Sequence, residues 1–173
     1  ILSFLYKFFG INLLVIKLSM FIFYAGFLIT IWFFFKDELD VNEKLILVSL
    51  FAFNPFFLQF GNHILSDIPF LFFSTLTIFT IYKFNNEENS QNKTLYIVAL
   101  TFCFFISSSL RSHGLLLPIL YLILIILFAL NQYAPKFILL KNLIFFKNFS
   151  VRKDIFFLLL PILFFILLMY FFS

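Results

Sequence analysis

The sequence predicts an all-α fold, a polytopic transmembrane helical bundle of about six spans. Three observations predict it. Hydrophobic residues make up 64% of the chain and charged residues only 12%, too little polar surface to coat a water-soluble globule of 173 residues. The mean hydropathy is +1.11. The apolar stretches each approach the 20 or so helical residues that a hydrocarbon core of about 30 Å requires, and the loops between them divide unequally in charge.

The expected spans are 11–35, 45–61, 68–84, 94–111, 115–134 and 155–173. Turn formers or charges bound each one. Lys36-Asp37-Glu38 closes the first, Gly61-Asn62 the second, and the polar run 85–93 the third. Ser112-His113-Gly114 is so short a connection that the fourth and fifth spans must form an antiparallel hairpin, and a basic stretch over 136–154 separates the last two. Asn54-Pro55 falls inside the second span, where proline removes a backbone donor and predicts a kink. Within 136–147, basic residues alternate with Phe137, Leu139, Leu140, Ile144 and Phe145, the pattern of an interfacial helix and equally of a solvated basic tether.

Loop charge sets the orientation. Loops 36–44, 83–93 and 136–154 carry nine of the Lys and Arg residues, against Lys7 and Arg111 on the opposite side and Lys17 within a span. The excess places those three loops in the cytoplasm. It also puts the sequons Asn92-Lys93-Thr94 and Asn148-Phe149-Ser150 on the cytoplasmic face, where neither is glycosylated.

Composition excludes several functions. The net charge of +4 lies in short loops beside apolar spans, where it orients helices and meets anionic headgroups, so no nucleic-acid partner is implied. The 33 Phe residues are spread over every span and read as lipid contacts. Cys103 is alone, which rules out an intrachain disulfide or a cysteine-based metal site. Walker, dinucleotide, HExxH and GxSxG motifs are absent from the sequence. No signal peptide is read, and a chain that opens at Ile1 reads as a fragment.

Four polar residues near the outer face are the candidate site. Asp67, in Ser66-Asp67-Ile68-Pro69, is the sole carboxylate assigned to that face. It suits a helix cap and is equally able to bind a metal or a sugar hydroxyl. Arg111 ends the fourth span against the prevailing charge bias. Its planar fork fits phosphate oxygens, and lipid phosphate is the plainer partner. His113 lies two residues on, within reach of the same anion or simply occupying the turn, and Gly114 serves turn geometry. Lys17, about 9 Å inside its span at roughly 1.5 Å per residue, must snorkel or pair. Ser107-Ser108-Ser109 offers small surfaces for helix packing.

In order, Gly10-Ile11-Asn12 before a span holding Lys17, Asn54-Pro55, Leu65-Ser66-Asp67-Ile68-Pro69 and Leu110-Arg111-Ser112-His113-Gly114 resemble the GT-C superfamily of polyprenyl-phosphate-sugar-dependent glycosyltransferases. The likeness is to the bacterial protein-mannosyltransferase-like and RgtA/B/C/D-like branch. It covers most of the chain and rests on a span pattern plus two short motifs.

The resemblance implies a GT-C-like bundle and an inverting transfer of a sugar, mannose or another hexose or pentose. The donor would be a polyprenyl-phosphate carrier and the acceptor a lipid, glycan or protein on the non-cytoplasmic face. Asp67 would then lie near the donor phosphate or a divalent metal, magnesium or manganese. Arg111, with His113 and more weakly Lys17, would bind the donor phosphate. The family's catalytic base normally sits in a large outer loop that would precede Ile1, so residues 1–173 are expected to form a single transmembrane domain lacking the first span and that loop.

Arg111-Ser112-His113-Gly114-Leu115-Leu116 and Leu160-Pro161 also resemble the second mannosyltransferase of glycosylphosphatidylinositol assembly, an endoplasmic-reticulum enzyme. Its Tyr-Ser-Glu motif differs from Leu65-Ser66-Asp67 here. A transporter or flippase-like carrier, from another class, would instead show inverted repeats and midplane charges.

Overall fold

The computed structural model describes residues 12–55, 57, 67–87, 90–133 and 151–172. Among them the regular elements are all helical: α1 (Leu13–Phe34), α2 (Val41–Ala52), α3 (Asp67–Asn86), α4 (Ser90–Leu110), a 3₁₀ turn (Ser112–Leu115), α5 (Leu116–Tyr133) and α6 (Val151–Phe172). The stretches Leu13–Phe34, Asp67–Phe84 and Asn92–Leu110 are long and apolar enough to cross a membrane, whereas the apolar portions Ser112–Ile126 and Leu159–Tyr170 are shorter. The expected interfacial segment over 136–147 lies outside the described residues. The chain divides into two compact units, 1–76 and 77–173, the division falling within α3.

In the first unit, Asn12 caps α1, its side-chain oxygen accepting the Leu14 N–H at 3.1 Å. One stripe of α1 is buried, Ile16, Met20, Tyr24, Phe27 and Ile31, at the i, i+4 and i+3 spacing of a single helix face. Leu14, Leu18, Phe21, Ile22 and Ile29 on the remaining surface are exposed, so the helix is apolar all round, as a lipid-facing span is. Tyr24, Phe27, Ile31 and Ile68 form the core of this unit, with Leu47, Phe51, Phe57 and Phe72 packed on it. Gly26 lets the Phe72 ring come close: a Cβ there would meet its Cε2 at 2.8 Å.

The second expected span differs from the expectation. The helix begins at Val41, not 45, because Asp40 and Glu43 form a capping box in which the Asp40 N–H donates to Glu43 Oε2 at 3.0 Å. It stops at Ala52. Pro55 has no N–H to donate and its ring opposes the Phe51 carbonyl, so the helix breaks at Phe53-Asn54, and Pro55 is again helical. At 12 residues and about 18 Å, α2 is too short to cross a core of about 30 Å by itself.

The carbonyls at this broken end are satisfied from α1: the Tyr24 hydroxyl donates to Phe51 O at 2.7 Å and lies 3.3 Å from Ala52 O. Tyr24→Phe is therefore expected to destabilise the protein by about 1–2 kcal/mol, as buried acceptors lose their donor. The change is read as a lowered melting temperature of the purified protein, and an unchanged value would remove the cap from this account.

Lys44 also departs from its expected place in an exposed loop. It is buried, its Nζ donates to Lys36 O at 3.2 Å beyond the end of α1, and it stands 5.4 Å from the centre of the Trp32 ring. A cation at a helix C-terminus and over an indole face is favoured by both the helix dipole and the ring quadrupole.

The second unit is built around α4, which packs along α6 and turns back through the 3₁₀ segment into α5. Its core comprises Phe84, Ile97, Leu100, Phe104, Tyr121, Ile125, Ile162 and Phe165. Phe104 stands at the centre, 5.6 Å from the Tyr121 ring and 6.2 Å from that of Phe165, edge-on to the latter. Pro161, buried within α6, offers its carbonyl to Thr101 Oγ1 at 3.5 Å, and that hydroxyl also donates to Ile97 O at 2.9 Å.

Candidate functional site

The connection between α4 and α5 is held by backbone hydrogen bonds and by a close approach of backbones at Gly114. Arg111, extended at φ −149° and ψ 143°, precedes the 3₁₀ turn. Its N–H donates to Ser107 O at 3.2 Å, closing the last turn of α4, and its carbonyl accepts the Gly114 N–H at 2.8 Å. Gly114 is buried with its Cα against the Ser107 carbonyl. A Cβ would overlap that carbonyl and stand 2.6 Å from Ser108 N. Glycine is required here by close backbone approach, with no left-handed φ involved.

This geometry sets Arg111 at the entrance to the 3₁₀ turn and His113 within it. Both are exposed, two residues apart on one turn, at the hairpin end that loop charge assigns to the outer face. A guanidinium and an imidazole on a backbone fixed at both sides can meet the oxygens of a single anion with little loss of freedom on binding.

Asp67 is the first residue of α3, half-buried, with Ile68 and Pro69 buried behind it. As the first helical residue Asp67 is not itself the N-cap, a position that falls at residue 66 outside the described residues; its carboxylate complements the helix dipole from the first turn. Lys17 is exposed on α1, beside the buried stripe and next to exposed Leu18, with Leu13, Leu14 and Phe21 a turn away. That setting matches a snorkelling lysine. Asp67 and Lys17 belong to the first unit, and Arg111 and His113 to the second.

Among the described residues no group of three or more His, Cys, Asp or Glu side chains is placed to hold a metal ion. Asp67 alone does not make a magnesium or manganese site, which needs several oxygen ligands, so no step is routed through a metal.

Sequence reasoning missed two features of the second unit. Ser107 Oγ and the Tyr121 hydroxyl are buried without a hydrogen-bond partner. Tyr121 carried a signal, a polar-tipped residue inside an otherwise aliphatic run; Ser107 looked the same as its two neighbours.

No family model matches the chain, and neither a curated protein nor a solved structure matches it.

Proposed function

We propose that the protein is an integral, multi-pass membrane glycosyltransferase that takes a sugar from a polyprenyl-phosphate carrier and passes it to a lipid, glycan or protein acceptor on the non-cytoplasmic face. The membrane is a bacterial inner membrane in the reading favoured by Asp67, and the endoplasmic reticulum in the eukaryotic variant of the same chemistry. The observation that carries the proposal is the exposed Arg111–His113 pair on a turn held rigid by Gly114, at the end of a helix of membrane-spanning length. The ordered resemblance to GT-C enzymes supports it.

In the proposed reaction an acceptor hydroxyl oxygen attacks the anomeric carbon, the bond from that carbon to the phosphate oxygen breaks, and polyprenyl phosphate departs with the electron pair. The acceptor proton goes to a base, a role assigned to no residue of this chain. Arg111 binds the phosphate as its charge grows, and His113 donates a further hydrogen bond to it. Asp67 is assigned as an acceptor for sugar hydroxyls, a role that rests on the resemblance alone.

The binding half of this reaction is tested by titrating the purified full-length protein in lipid nanodiscs with a polyprenyl monophosphate. Saturable binding that weakens at least about tenfold in Arg111→Ala is expected, the loss of a charge-assisted hydrogen bond. Equal binding by wild type and variant would overturn the assignment of Arg111.

A further inference from the structure

Ser107 and Tyr121 are 0% and 2% exposed, and their hydroxyls have no partner. A hydroxyl removed from water without a compensating hydrogen bond is costly, and other buried hydroxyls of this chain avoid that cost. Thr30 donates to Gly26 O at 2.8 Å and Thr101 to Ile97 O at 2.9 Å, and Tyr24 caps the end of α2. Ser107 makes no such bond within its own helix, so its hydroxyl is turned elsewhere.

The two orphans belong to one stretch of the hairpin. The Tyr121 ring leans on Phe104, one turn before Ser107 on α4. Helical side chains incline toward their own N-terminus, so Tyr121 reaches along α5 toward Gly114. On antiparallel α4 that is the direction in which Ser107 follows Phe104, and the Ser107 carbonyl lies against Gly114.

We propose that Ser107 Oγ and Tyr121 OH together hold a buried water molecule beneath the Arg111 turn. Water suits the site on two counts. Near-complete burial excludes a sugar or a phosphate, and a molecule that both donates and accepts serves two hydroxyls in any orientation. The bridge ties α5 to the residue whose carbonyl accepts the Arg111 N–H, and so braces the backbone from which the guanidinium projects. It stands independently of the transferase reading.

The test is a double-variant cycle on the full-length protein in bilayers. Tyr121→Phe and Ser107→Ala are each expected to lower the melting temperature, by roughly 2–4 °C, and the double variant to lose no more than the larger single loss, because the water leaves with its first partner. A variant whose melting temperature is unchanged or raised would mean a dry hydroxyl whose removal is harmless, and additive losses would mean two separate groups. Either result overturns the proposal. If a variant does not fold, water-edited solid-state NMR of the wild-type protein decides: magnetisation passes from water to the Tyr121 ring carbons under the proposal, and its absence refutes it.

Discussion

Replacing Gly114 with alanine is expected to cost about 3 kcal/mol or more, at the upper end of what overpacking a tight contact does. The added methyl group would overlap the Ser107 carbonyl and press on Ser108 N, which are backbone atoms fixed in the last turn of α4. No side chain can swing aside to make room. The α4–α5 hairpin must therefore part, and with it the contacts of Phe104 with Tyr121 and the turn that presents Arg111 and His113. Thermal unfolding of the purified protein measures the loss. Ser109→Ala, on the exposed side of the same turn of α4, is the matched control and changes little. Wild-type stability in Gly114→Ala would mean that the two helices do not approach as described.

Arg111 gives the second large effect. Arg111→Ala in the full-length protein is expected to lower sugar transfer by about 10²–10³-fold, the scale for removing one donor aimed at developing charge. Arg111→Lys recovers only part of that, because an ammonium keeps the charge and loses the planar fork that holds two phosphate oxygens at once. Exposed Arg111 contributes little packing, so membrane levels of both variants stay at wild type. A residue that merely anchored the hairpin to lipid headgroups would behave differently: lysine would restore it fully, and alanine would alter insertion while sparing turnover.

Helix existence and position were legible wherever apolar length and a strong boundary signal coincided. The expected spans 11–35, 68–84 and 115–134 fall within two residues of α1, α3 and α5, whose ends are marked by Asn12, Asp67 and Gly114. The second span departs from the expectation at its start and at its middle, for two local reasons. Asp40 and Glu43 look like loop charges in the sequence but are the capping box that opens α2, and the bend expected at Asn54-Pro55 is a break in the helix at Phe53-Asn54. Lys44 was hidden because a loop lysine is ordinarily solvated, whereas its burial depends on Trp32 and the Lys36 carbonyl, contacts that form only after α2 folds back.

At the candidate site, the exposure of Arg111 and His113 on one short turn was legible from their place between two apolar spans. The reason for Gly114 was not, since a close approach of backbones depends on the helix register and sequence alone does not fix it. Ser107 was inseparable from Ser108 and Ser109 in the sequence, and its distinct role arises from which face of α4 meets α5.

Sugar transfer is the activity to measure first. Membranes bearing the full-length wild-type protein, Asp67→Asn or Arg111→Ala, matched for protein level, would be incubated with a radiolabelled polyprenyl-phosphate sugar, and label would be counted in the acceptor fraction. Transfer by the wild type, loss of transfer in both variants and unchanged membrane levels throughout are expected. Wild-type turnover in both variants, or no transfer by the wild type from any polyprenyl-phosphate sugar, would contradict the proposed function.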